Sequence, residues 1–228
     1  MRDLATELMQ IWQIDQPEFG LTFTETYENP QTIPRLTNSR LHAEVRGKSS
    51  DREAILFHEG AHVYLFHLGY PASRTIINGT VPELTGRPMD FLAEHYVLKL
   101  ELKRRFNTQE ERMNELRGRS NDAIARIPIV GEHQLQPGSG QLAMQAAVCA
   151  DLLNEWNALA EARQISTIMK ASFSELTAIY HHVLLAIQQA PPLPQQRKFD
   201  SAEVSHIKMI LGSAISTIYK DFCTLEFL

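Results

Sequence analysis

The 228-residue sequence predicts an α+β protein that is predominantly α, and three observations carry that prediction. Two short segments near the start alternate apolar and polar residues, as strands with one covered face do. From about residue 50 onward apolar residues recur at three- and four-residue steps, the period of a helix packed along one side. Helix-start signals punctuate that stretch: Ser50-Asp51-Arg52-Glu53 and Thr108-Gln109-Glu110-Glu111 both read as capping boxes.

The elements follow in order. The first twelve residues predict an amphipathic helix through Leu4, Leu8, Ile11 and Trp12, ending before Pro17. Leu21–Tyr27 alternates large apolar side chains with threonine or glutamate and predicts a strand. Leu41–Arg46 predicts another, ended by Gly47, and the two are expected to pair in a small antiparallel sheet. Residues 29–38 contain two prolines and two asparagines and predict a loop. The helix opened by Ser50 is expected to run to Leu68, where Gly69 and Pro71 stop it. A loop from Tyr70 to Arg87 should follow, then a helix from Pro88 to Phe106, the helix begun by Thr108, and a loop from Pro128 to Gly140.

Three further helices are predicted over 141–163, 165–189 and 201–223. The second carries Ile165, Ile168, Ser172, Leu176, Ile179, Val183 and Ile187 on one face, and the third carries Val204, Ile207, Leu211, Ala214, Ile218 and Phe222. Residues 190–200 break the chain between them. Two regions result: residues 1–127, which include the motif described below, and residues 128–228, a helical C-terminal region that packs on the first or forms a bundle. Such a bundle also offers a surface for homo-oligomers.

Lys and Arg total 22 against 27 for Asp and Glu, a formal charge of -5, so no global basic field argues for nucleic acid. The segment Lys99–Arg119 holds seven basic residues, but four acids interleave with them, as on a solvated helix face. Cys149 and Cys223 make no C-x-x-C pair, which argues against a disulfide framework and a thiolate metal site; both are expected to be buried free thiols. The N-terminal residues carry acids and lack the apolar core of a secretory signal. No stretch approaches the run of about 18 uncharged apolar residues that a membrane span needs. A cytoplasmic location is the expectation.

The informative segment is His58-Glu59-Gly60-Ala61-His62. Residues i and i+4 share a helix face, so both imidazoles can reach one point. Ile55, His58, His62 and Leu65 form one stripe, expected to be buried. A zinc ion about 2.0–2.1 Å from one nitrogen of each imidazole would satisfy two of the four ring nitrogens there. Glu59 lies beside the ion's position, where its carboxylate can take a proton from an activated water and pass it to a leaving group. A third ligand is then required, with a fourth position left open. On the predicted 88–106 helix Glu94 flanks the core stripe of Phe91, His95, Leu98, Leu102 and Phe106, while His95 and Asp90 remain alternatives. A carboxylate in that neighbourhood could instead orient a ligand histidine.

These residues resemble the gluzincin group of metallopeptidases, in which H-E-x-x-H is followed by a glutamate on a second helix. Phe91-Leu92-Ala93-Glu94-His95-Tyr96 is similar to the W-L-x-E-G-F-type ligand segment of some aminopeptidases in that group, departing from it at His95. The resemblance covers residues 40–105. It implies a zincin-like core with a small antiparallel sheet and an active-site helix, and zinc held by His58, His62 and Glu94. It also implies a peptide or protein substrate and Glu59 as general base and then acid. An oxyanion donor is expected among Tyr64, His95, Tyr96, Tyr180, His181 and His182. The alternative is a non-catalytic regulatory or interaction protein that keeps the scaffold, although such a protein has no need of Glu59.

Overall fold

A computed structural model describes residues 10, 19–25, 31–37, 40–47, 52–77, 90–131, 138–195 and 197–227. The expected N-terminal helix, apart from Gln10, and the Ser50 cap lie outside the described residues. The described chain forms two compact units, interleaved along the sequence.

The first unit takes residues 1–70, 96–107 and 194–199. Its strands are β1 (Phe19–Glu25), β2 (Gln31–Thr37) and β3 (Arg40–Gly47). The sheet order is β1-β3-β2. β3 pairs with β1 in parallel, from Phe19 opposite Leu41 to Glu25 opposite Gly47. It pairs with β2 antiparallel, from Gln31 opposite Arg46 to Thr37 opposite Arg40. The expected zincin-like core with a small antiparallel sheet is therefore corrected. The sheet is mixed, and helices make up most of the described chain. The cause is the segment expected to be a loop: residues 31–37 form a strand in spite of Pro34. An edge strand tolerates proline, because one of its sides has no ladder to lose. Once β2 occupies the antiparallel side of β3, β1 takes the other side and runs parallel.

Helix α1 (Arg52–His67) packs on β1 and β3 and buries Leu56, Gly60, Ala61, Val63 and Leu65. It ends as its sequence predicts. Gly69 adopts φ +88°, its N–H donates to the Phe66 carbonyl, and the Tyr70 N–H reaches back to that of Leu65. Those two bonds make a Schellman ending, which favours glycine at the left-handed position. The Phe199 N–H donates to the Leu68 carbonyl at 2.7 Å, tying Phe199 to the helix end. Rings of Tyr70, Tyr96 and Phe199 then cluster with centroids 6.0–6.2 Å apart.

The second unit takes residues 71–95, 108–193 and 200–228. Helix α2 (Phe91–Arg105) contributes its first turn here and the rest of its length to the first unit. The remaining helices are α3 (Gln109–Ile124), α4 (Ser139–Glu155), α5 (Leu159–Ala171), α6 (Ser174–Gln189) and α7 (Ser201–Tyr219). α4 is the hub: it packs against α3, α5 and α6 and is buried on most sides, from Leu142 to Leu153. A helix apolar nearly all round has to be internal. The capping box predicted at Thr108 forms, with Glu111 N–H donating to Thr108 Oγ1 at 3.2 Å and Thr108 N–H to Glu111 Oε2 at 3.0 Å.

The three predicted C-terminal helices are corrected to four. Asn157 takes φ 66° and ends the first after Glu155. The second is divided at Ser172, whose hydroxyl donates to the Met169 carbonyl at 2.6 Å, as does that of Thr177. Side-chain hydroxyls that take up a helix-end carbonyl offer the backbone an alternative to continuing. The last helix stops at Tyr219; Lys220–Phe222, expected to extend it, form a 3-10 turn that leaves Phe222 41% exposed, and β5 (Cys223–Phe227) starts at the final residue of the predicted helix. β5 pairs antiparallel with β4 (Ser73–Ile77), a strand inside the predicted 70–87 loop. Among the described residues no helix is long and apolar enough to cross a membrane.

Candidate metal centre

His58 and His62 stand one turn apart on α1, with ring centroids 5.1 Å apart and planes at 76°. Neither lies on the buried face. Leu56, Gly60 and Val63 occupy that face, whereas His58, Glu59 and His62 are half-buried on an adjoining one. This corrects the expected burial and suits a site that a small molecule has to reach. His58 Nδ1 lies 3.2 Å from Glu101 Oε2, on α2. Glu101 is fully buried, and its other oxygen lies 3.5 Å from the Arg105 guanidinium. A carboxylate behind Nδ1 fixes the ring and directs Nε2 outward, the arrangement that positions metal-binding histidines.

α2 is unbroken, so Glu94 is carried at a fixed offset from Glu101, seven residues and two turns earlier on the same side. Glu94 falls in the stretch of α2 that belongs to the second unit, and it is half-buried. Two imidazoles one helical turn apart, with an orienting carboxylate behind one ring, suit a divalent ion that needs further ligands. Of the expected ligands, His58 and His62 are brought together on α1. Glu59, next to His58 in sequence, is half-buried.

The alternatives to Glu94 go elsewhere. Asp90 caps α2, accepting from the Ala93 N–H at 2.9 Å, and also accepts from Ser73 Oγ at 3.3 Å. His95 points about 100° round the helix from Glu94, and its Nε2 lies 3.0 Å from Asp151 Oδ2 in the second unit. Of the expected oxyanion donors, Tyr96 is buried in the aromatic cluster and Tyr180 is buried in the second unit. Burial pushes the Tyr180 phenol up; a hydrogen bond with Ser166 opposes that, and the nearby Asp151 charge adds to it. His181 and His182 are both exposed. Tyr64 is half-buried and stacked on His67 with ring centroids 6.2 Å apart.

Glu101 was missed by sequence reasoning. Its signal was a lone carboxylate inside Val97-Leu98-Lys99-Leu100-Glu101-Leu102, at the same phase as Glu94. No known protein family, curated protein or solved structure is found to match this chain.

Proposed function

We propose that the protein is a zinc-dependent hydrolase acting on peptide bonds, with His58, His62 and Glu94 as metal ligands and Glu59 as general base and then acid. The observation that supports this most is the pair of imidazoles one turn apart on α1, with Glu101 behind His58. Zinc, when bound, supplies a Lewis acid that activates water near neutral pH and polarises the scissile carbonyl. The Glu59 carboxylate accepts the proton of the attacking water and delivers it to the leaving amine. Glu101 holds the His58 ring in place through both events. The likeness to gluzincins is one of ligand types and order, and it does not extend to an antiparallel zincin sheet.

The test compares wild type, Glu59→Gln and Glu94→Ala for bound zinc and for cleavage of a mixed peptide library. Glu59→Gln should keep the metal and lose turnover by at least about 100-fold, the scale of a general acid–base contribution. Glu94→Ala should lose the metal. Stoichiometric zinc in wild type with no cleavage that Glu59→Gln abolishes would replace this reading with a non-catalytic metal-binding protein.

A further inference from the structure

A second group of metal-type ligands lies in the second unit. His95 is 7% exposed, and its Nε2 lies 3.0 Å from Asp151 Oδ2. Asp151 and Glu155 are four residues apart on α4, which puts both carboxylates on one face. One ligand atom from each of the three lies within 4.8 Å of the others. Ion–ligand bonds of about 2.0–2.2 Å place neighbouring donor atoms about 3 Å apart, and the His95–Asp151 separation is already of that size. Two carboxylates brought so close repel when both are ionised, and a cation between them removes that cost.

We propose that His95, Asp151 and Glu155 form a second divalent-cation site, separate from the His58–His62 centre. One nitrogen and two oxygens suit zinc or manganese, with the remaining positions filled by water. Burial decreases from His95, through half-buried Asp151, to exposed Glu155, so the ion has a route in from solvent. Once bound, it cross-links the first turn of α2 to α4 within the second unit.

The experiment is equilibrium dialysis of the full chain against Zn²⁺ and Mn²⁺, with metal per chain measured by elemental analysis. Wild type, Asp151→Asn, Glu155→Gln and the double variant His58→Ala/His62→Ala are compared. Wild type should hold two equivalents, and the double variant should keep one. Asp151→Asn should lose one, and Glu155→Gln should bind it at least tenfold more weakly. Glu155 is exposed, so its substitution leaves the fold intact even if Asp151→Asn does not. Equal metal content in wild type and both α4 variants overturns the site and reduces the cluster to a His–Asp contact with a bystander glutamate. A single equivalent that only the histidine variant removes overturns this site and spares the centre on α1. A single equivalent that only the α4 variants remove does the reverse.

Discussion

Glu101 gives the most demanding test of the metal centre, because it touches no substrate and its only proposed task is to hold His58. It is fully buried, 3.2 Å from His58 Nδ1 and 3.5 Å from the Arg105 guanidinium. At 3.2 Å two full unit charges in a medium of effective dielectric about 20 interact by about 5 kcal/mol. An imidazole bound to a cation carries only part of such a charge, so a fraction of that energy is at stake. Loss of an orienting carboxylate of this kind typically weakens metal binding about 10- to 100-fold, or about 1.4–2.8 kcal/mol. Glu101→Gln keeps an acceptor for the ring N–H and should fall near the lower end. Glu101→Ala removes it and should fall near the upper end. The metal-free fold should lose about 1–3 kcal/mol in the alanine variant, as a hydrogen-bonded buried partner is removed. The Arg105 side chain is 28% exposed, so its charge still reaches water and the larger cost of a stranded buried ion does not apply. Zinc titration against a competing chelator, beside thermal unfolding of the metal-free proteins, reads both quantities. Zinc affinities within twofold of wild type in both variants, with normal unfolding, would refute the role assigned to Glu101.

Other outcomes follow from the same geometry. Leu152→Ala should cost about 2–5 kcal/mol in urea unfolding, since Leu152 is wholly buried on the hub helix α4. Asp200→Ala should cost about 1 kcal/mol, because Asp200 accepts from the Ala202 and Glu203 amides at 2.9 Å each; unfolding of the variant by circular dichroism checks it. Gly69→Ala should cost about 1 kcal/mol for the left-handed conformation alone, because the nearest atom to an added Cβ is the Phe199 carbonyl oxygen at 3.8 Å, an ordinary contact. Alkaline pH should destabilise the fold. Burial pushes the Cys149 thiol from 9.0 up to about 12, against a lowering by Arg119, and raises Cys223, Tyr180 and Tyr219 as well. Groups with raised folded values favour the native state fully below their unfolded values and lose that advantage as pH rises through the folded ones. For Cys149 the loss runs between pH 9.0 and about 12, at about 1.4 kcal/mol per pH unit. Cys149→Ala should flatten that part of the stability–pH curve.

Residues whose local chemistry decides the matter were legible in the sequence. Gly69 ends α1 because the Schellman turn needs positive φ, and Thr108 with Glu111 starts α3 because the two side chains satisfy each other's amides. The i, i+4 histidines were legible for the same reason, since helix pitch fixes their phase, whereas phase alone left Glu94, His95 and Asp90 open on the next helix. Properties set by tertiary contacts were not. Periodicity puts Ile55, His58, His62 and Leu65 on one stripe, but packing on β1 and β3 buries Leu56, Gly60 and Val63 together with Leu65 and leaves Ile55 and both histidines half-buried. Pro34 reads as a breaker until β2 is known to be an edge. The stripe keeps its helical phase through Ser172, so only the hydroxyl bonds to the Met169 carbonyl reveal the break. Glu101 was read as part of a charged helix face because nothing local shows that α2 is buried around it.

The bond from Phe199 to the end of α1 has a consequence for how this chain is made. The carbonyl that finishes α1 waits for an amide located 131 positions downstream, at Phe199. During synthesis the segment carrying both histidines therefore emerges long before the last piece of its own unit exists. A contact that distant closes late, after the costly ordering of the intervening chain. A nascent or truncated product ending before Pro194 would present the Tyr70 and Tyr96 rings without their third member, and would be an early target for proteolysis.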